Sequence, residues 1–254
     1  MRRSLLLGSI LGIVAGIVLW RAGIHPIWVG AVLVVTGLPL AWALLVPGAQ
    51  GLGPVVTRFE TERREVWLTI DDGPDPEDTP RVLEVLARHR AHATFFVVGE
   101  RADRHLPLIQ EIVHRGHEVA HHTHTHPEAT FWCARSGRVE RELDDTLAVL
   151  SPIGVVPRWF RAPVGIKNVF LWTATAARGM RVVGWTVRSW DSVARDPEAV
   201  AKLVLRRVRP GSILLFHEGP RLRPAVRVAA LDRTLKALTD AGYACVLPDP
   251  ASLR

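Results

Sequence analysis

The chain has 254 residues, 48% hydrophobic and 22% charged, with a formal net charge of +7. That balance excludes a disordered or fibrous protein, and the length holds one large domain or two small ones. Two cysteines, Cys133 and Cys245, are too few for a disulfide scaffold, and their apolar neighbours (FWCA, YACVL) predict two buried free thiols.

The charge is unevenly placed. The first acidic residue is Glu60, so everything before it is acid-free and strongly apolar. Residues 4–20 and 27–46 carry no charge at all and have no polar face. A bilayer core of ~30 Å needs roughly 20 helical residues, so the second stretch spans fully and the first is short. Only RAGIHP lies between them, which suits a tight helical hairpin. Met1-Arg2-Arg3 also looks like the start of a signal peptide, but no small-x-small cleavage site follows the first stretch, and retention is expected. Two spans put both ends on one side. Arg2, Arg3, Arg58, Arg63 and Arg64 outnumber Arg21 in the short loop, so the remainder of the chain is expected in the cytosol of a multi-pass membrane protein. Cleavage of the first stretch, or its failure to span, would put that remainder outside. Membrane lipid is therefore an expected partner. Nucleic acid is not, since no run of five like charges and no basic–aromatic stripe appears. A phosphate-bearing lipid substrate suits the basic balance better.

Residues 48–57 form a Gly/Pro-rich linker without periodicity, dividing a two-helix anchor (1–47) from a globular domain (58–254). In that domain apolar β-rich runs at 66–70, 93–98, 118–121, 158–161, 181–187, 212–216 and 243–247 alternate with helix-period segments near 80–90, 103–115, 137–150, 169–178, 197–208 and 225–241. Thr79 before Pro80, and Asp196 before Pro197, read as N-cap and first helical position. The unit length of about 30 residues is that of a βαβ crossover. Continuously apolar runs such as ATFFVV and SILLF predict strands covered on both faces. The class is α/β with a parallel sheet, a closed or nearly closed barrel ahead of an open doubly wound sheet.

Chemistry in parallel α/β folds gathers at the carboxyl ends of strands. Those ends carry Asp71-Asp72-Gly73-Pro74, then residues 121–126 (HHTHTH), then Arg161 to Gly165, then Arg188 and Asp191, and finally His217-Glu218. Neither a Gly-rich phosphate loop nor G-x-S-x-G is present. Two imidazoles and a carboxylate leave an open coordination position, as hydrolytic metals require. Singly each group has a plain alternative: a solvated histidine loop, a simple turn at Asp71-Asp72, a core histidine at 217, an ion-pair partner at 161. Their joint placement at strand ends outweighs these.

The segments TIDDGP (69–74), GHEVAHHTHTHP (116–127), RAPVG (161–165), GWTVRSWD (184–191) and SILLFHE (212–218) resemble, in order, the motifs of the polysaccharide deacetylase family, the NodB-homology fold of carbohydrate esterase family 4. ATFFVVGE and AGYACVLP agree, and the likeness runs over about residues 60–250. It implies a distorted parallel (β/α)7 barrel behind the transmembrane hairpin, and a metal-dependent hydrolase that removes an N-acyl group, acetyl above all, from an amino sugar of a polysaccharide or lipid-linked glycan. The alternatives are a catalytically silent carbohydrate-binding relative and a membrane scaffold.

The resemblance further implies one divalent ion, zinc ahead of cobalt or manganese, held by Asp72, His122 and His126. Asp71 would be the general base, oriented by Arg161. His217 would be the general acid, supported by Asp191. Leu215 would line the acyl pocket, and the Val164 backbone N–H would face the oxyanion. Three departures stand out: the family often has Asp at Arg188, Trp at Ser192 and Tyr at Val164. Loss of the indole would open one wall of the acyl pocket, with Trp185 or Trp190 as substitutes. His121 and His124 receive no role beyond hydrogen bonding or exposure.

Overall fold

The computed structural model describes residues 2–219 and 224–254. Two helices come first, α1 (Arg2–Arg21) and α2 (Pro26–Leu45). Pro26 opens α2 and His25 Nδ1 accepts from the Ile27 N–H at 3.3 Å, so the turn is capped. The short connection at residues 22–25 turns α2 back antiparallel to α1, and glycine lets the two approach closely. A Cβ at Gly12 would fall 1.9 Å from Thr36 Oγ1, and one at Gly16 2.9 Å from the Leu33 side chain. Ser9 Oγ also donates to the Thr36 carbonyl at 3.2 Å. The outer faces are bare and apolar, with Ile10, Val18, Trp28 and Val35 all exposed. Both helices are long and apolar enough to cross a membrane, at mean hydropathies of 1.9 and 2.1.

The segment after α2 is ordered against the domain. Ala49, Leu52 and Val55 are buried, and the Gln50 amide pairs with both backbone groups of Val55.

The domain then alternates strand and helix: β1 (Glu65–Gly73), α3 (Asp78–Arg88), β2 (Ala93–Val97), α4 (Gly99–Arg104), α5 (Leu106–His114), β3 (Glu118–His121), α6 (Ser136–Leu150), β4 (Trp159–Phe160), α7 (Leu171–Ala176), β5 (Arg181–Val182), β6 (Val187–Arg188), α8 (Pro197–Arg207), β7 (Ile213–His217), α9 (Pro224–Asp240) and β8 (Ala244–Cys245). Every strand pairing is parallel, in the order β5-β4-β3-β2-β1-β7-β6, with β8 on β1 outside that path. The expected (β/α)7 architecture is present, with a particular distortion. The apolar run 181–187 is not one strand. Its first half pairs with β4 and its second with β7, so one bent segment joins the two edges of the sheet and closes the ring through the chain.

Strand alternation fixes which side chains face inward. Val66, Leu68 and Ile70 pack with Leu83 and Leu86 of α3 and Leu231 and Leu235 of α9. Trp67 points the other way, clustering with Phe96, Ala120, Trp159 and Ile213. Thr69 and Asp71 share the Trp67 face, so an acidic residue tops the barrel interior.

Three local expectations are corrected. Thr79 does not cap α3, which begins one residue earlier. Its hydroxyl accepts from the Asp75 N–H at 2.8 Å and donates to Glu218 Oε2 at 2.7 Å, a tertiary contact that overrides the capping preference. The segment 103–115 is two helices, broken at His105 ahead of Leu106-Pro107. Cys133 is exposed, because its three-residue turn buries Phe131 instead, whereas Cys245 is buried. Asp196 does cap α8, accepting from the Glu198 N–H at 2.9 Å.

Candidate active site

Asp71 and Asp72 end β1 next to β7, and Asp71 is the register partner of His217. Adjacent strands lie about 4.8 Å apart, so a carboxylate and an imidazole sit side by side at the barrel mouth. Asp71 is buried, and its Oδ1 accepts from Arg161 Nη1 at 2.6 Å. That guanidinium, 1% exposed, also donates to Thr69 Oγ1 and to the Val183 and Gly184 carbonyls, and its carbon lies 4.1 Å from the Phe96 ring centre. Arg161 is thus clamped from four sides and holds the Asp71 carboxylate in one orientation.

Asp72, His122 and His126 present ligand atoms that all lie within 4.8 Å of one another. The hydrogen bonds behind the rings set their tautomers. His122 Nδ1 lies 2.8 Å from the Arg161 carbonyl, which can only accept, so Nδ1 carries the proton and Nε2 the lone pair. His126 Nδ1 lies 3.1 Å from Glu128 Oε1, with the same result. Both Nε2 atoms turn toward Asp72 Oδ1, at 3.4 and 3.1 Å. His126 Nε2 is buried and makes no hydrogen bond despite that proximity. Converging lone pairs without an intervening proton are what a cation needs, and the donor set fits a divalent ion such as zinc, cobalt or manganese. Burial acts to raise the Asp72 pKa; with the two imidazoles protonated, their hydrogen bonds and charge outweigh it and hold the carboxyl well below its usual range, the part a bound cation would take with the rings neutral.

Across the mouth, His217 Nδ1 lies 2.8 Å from Asp191 Oδ1, and the His217 N–H donates to Asp191 Oδ2 at 2.8 Å. Ser189 Oγ donates to Oδ1 at 2.7 Å. Burial lowers the His217 pKa, yet Asp191 first, then Asp71 and Asp72, raise it above the ordinary histidine value. Asp71, Asp72, His122, His126 and His217 line one cavity of about 240 Å³, together with Val164, Trp185, Ser192 and Leu215. Five of the six non-glycine residues with positive φ among the described residues lie here: Asp72, Thr123, His126, Val164 and Trp190. Strain of this kind persists where surrounding structure over-determines it, and it concentrates at functional sites.

The polysaccharide deacetylase family profile matches residues 58–183. A chitooligosaccharide deacetylase of Sinorhizobium fredii is 42% identical over 202 residues, covering 74% of this chain and 92% of the relative. The chain belongs to the polysaccharide deacetylase family. A peptidoglycan-N-acetylglucosamine deacetylase of Bacillus cereus is 31% identical over 75% of this chain and 89% of its own length. The solved family 4 carbohydrate esterase of Streptomyces lividans, in complex with acetate, superimposes with a TM-score of 0.66 at 30% identity, over 74% of this chain and 95% of that one.

Seven of the nine residues expected from the family motifs line this cavity, and Arg161 and Asp191 stand behind it, bonded to Asp71 and His217. Four supporting groups received no role from the sequence. Glu128 orients His126. Glu142, from α6, accepts from the backbone N–H groups of His124 and Thr125, at 2.9 Å each, and so folds the histidine loop. Ser189 and Thr69 brace Asp191 and Arg161. Glu128, Thr69 and Ser189 each stand two residues from an assigned site residue, whereas Glu142 has no such neighbour. His121 is structural: Nε2 donates to the Leu143 carbonyl, Nδ1 accepts from the Thr123 N–H, and burial pushes its pKa down to about 4. The His124 backbone is held by Glu142, while its Nδ1 is buried without a partner.

Proposed function

We propose that this family member is a membrane-anchored, metal-dependent N-deacetylase acting on an amino-sugar glycan, with the lipid-linked form as its substrate. The observation that carries the chemistry is the arrangement in one cavity of a lone-pair triad, Asp72, His122 and His126, between a clamped carboxylate and a carboxylate-backed imidazole. Asp72, His122 and His126 would hold a divalent ion, whose Lewis acidity would acidify water and polarise the amide carbonyl. Asp71, fixed by Arg161, removes the proton from the attacking water. The Val164 N–H donates to the oxyanion as the carbonyl carbon becomes tetrahedral. The amine cannot leave as an anion, so His217, kept protonated by Asp191, delivers a proton to the nitrogen. Leu215 borders the acyl methyl. The products are acetate and a free amino sugar.

The lipid-linked substrate is supported by how the hairpin joins the domain. Lys167 receives the end of α2: its N–H donates to the Leu44 carbonyl at 2.9 Å, and its ammonium donates to the Val46 and Pro47 carbonyls. A Cβ on Gly165 would lie 2.8 Å from the Pro47 ring, so the exit of the hairpin packs on the residue next to Val164. Three residues span at most ~11 Å, which keeps the cavity-lining Val164 that close to Lys167 and the end of the hydrophobic span. A glycan held at the membrane surface meets the cavity directly. The arginine distribution around the hairpin supports a cytosolic domain.

The test uses the full chain in nanodiscs, with zinc, on N-acetylglucosamine oligomers and on lipid-linked N-acetylglucosamine. Amine release that is abolished by chelator and by Asp71→Asn supports the proposal, with faster turnover of the lipid-linked form. Binding without release would mean a silent carbohydrate-binding relative. Full complementation in cells by Asp71→Asn would mean a scaffold. A C-terminal reporter fusion active only outside the cytosol would overturn the topology.

A further inference from the structure

Arg188 lines the cavity, and its side chain makes no hydrogen bond or ion pair with any described residue. Its Nε is buried and unpartnered. The carboxylates that could neutralise it are engaged. Asp191, three residues on, accepts from His217 and Ser189. Glu128 faces His126. Asp71 faces Arg161. The Glu218 carboxyl, bonded to Thr79, has its pKa pushed up to about 8 by burial. The fold nonetheless holds the guanidinium in place: its carbon lies 4.1 Å from the centre of the Trp190 ring. Trp190 itself adopts φ 62, a conformation unfavourable for a bulky side chain, and in doing so carries its indole against Arg188. On the backbone, Arg188 is the register partner of Leu215, two residues before His217. Strand geometry therefore puts its Cα about 8 Å from that of His217.

A buried, charged N–H without an acceptor is costly, and a positioned one in a cavity calls for an anionic ligand. We infer that Arg188, stacked on Trp190, is a specificity residue that binds an oxyanion, phosphate or carboxylate, carried by the glycan beside the acetamido sugar. This rests on the deacetylase reading above and specifies its substrate as anionic. An arginine stacked on a ring is preorganised for two-pronged recognition of either group.

The experiment compares zinc-loaded full chain and Arg188→Gln on three substrates: neutral N-acetylglucosamine oligomers, N-acetylglucosamine 1-phosphate, and an oligomer containing N-acetylmuramic acid, whose lactyl group supplies a carboxylate. Thermal melting confirms that the variant is folded. The wild type is expected to favour one anionic substrate over the neutral one in kcat/KM, and Arg188→Gln to reduce that ratio by about ten- to a hundredfold. The anion that shows the effect identifies the source. Binding of the same compounds in an Asp71→Asn background, with and without Arg188→Gln, reads the interaction without turnover, and any affinity of the metal for phosphate is common to both proteins. No anionic preference in the wild type, or a preference and affinity that survive Arg188→Gln, overturns the inference. Absence of turnover on every substrate, with Arg188-dependent anion binding intact, would sink the deacetylase reading and leave this one standing.

Discussion

Replacing Asp191 with Asn tests the proton-donor half of the site. Asp191 is 1% exposed and places one oxygen on the His217 ring and the other on the His217 backbone, both at 2.8 Å. Asparagine is nearly isosteric but has one acceptor oxygen. It can satisfy the backbone N–H or the ring N–H, and in the first case its amide nitrogen faces Nδ1 and favours the wrong tautomer. Asp191 raises the His217 pKa against burial, so its charge is what sustains the imidazolium. A hydrogen bond to a charged group contributes about 1.5–3 kcal/mol. Its loss therefore lowers the His217 pKa in Asp191→Asn. The sign follows from the role. A general acid works protonated, so the alkaline limb of the kcat–pH profile should move to lower pH. On that limb kcat should fall by about ten- to a hundredfold, which is what about 1.5–3 kcal/mol gives at ~1.36 kcal/mol per factor of ten. The assay is amine release across pH 5–10, with folding checked by melting. An alkaline limb that does not move in a folded, zinc-loaded Asp191→Asn protein would refute the assignment of His217 as acid.

Three further outcomes follow from the geometry. Arg161→Met should leave a buried, unpaired Asp71 carboxylate and cost about 3–5 kcal/mol, lowering Tm by roughly 6–20 °C, with recovery in the Asp71→Asn, Arg161→Met double variant. A double variant no more stable than the single one would rule out the buried pair as the cause. Ser192→Trp should fill the open wall of the cavity and narrow acyl tolerance, read as relative rates for formyl, acetyl and longer N-acyl substrates; equal relative rates would exclude that wall. The native protein should react with one equivalent of a thiol reagent, at exposed Cys133, and take up a second only on denaturation, because Cys245 is buried and burial pushes its thiol pKa up to about 12.

Much of the site was legible because its chemistry is local. Asp71-Asp72 and the histidine run each sit at the end of a strand that its own apolar pattern reveals, and parallel strands gather their ends at one mouth. The supporting groups were not legible, since Glu142 reaches the histidine loop from α6 and Ser189 faces Asp191 only in a tight turn. The bend in 181–187 was hidden for a related reason. Both halves of that run are apolar, and their difference lies in which neighbour they pair with. Cys133 and Thr79 show the same limit, an apolar neighbourhood and a capping pattern overruled by Phe131 and Glu218.

The chain's own order of residues determined the apolar hairpin, the alternation of strand and helix, and the donor types available for a cation, because hydropathy, periodicity and ligand chemistry are properties of neighbours. Tertiary structure alone decided that Arg161, 90 residues from Asp71, would clamp it, that Asp191 would back His217, and that Arg188 would be left without a carboxylate. Those outcomes depend on register between strands distant in sequence, where a shift of one residue turns every side chain to the opposite face.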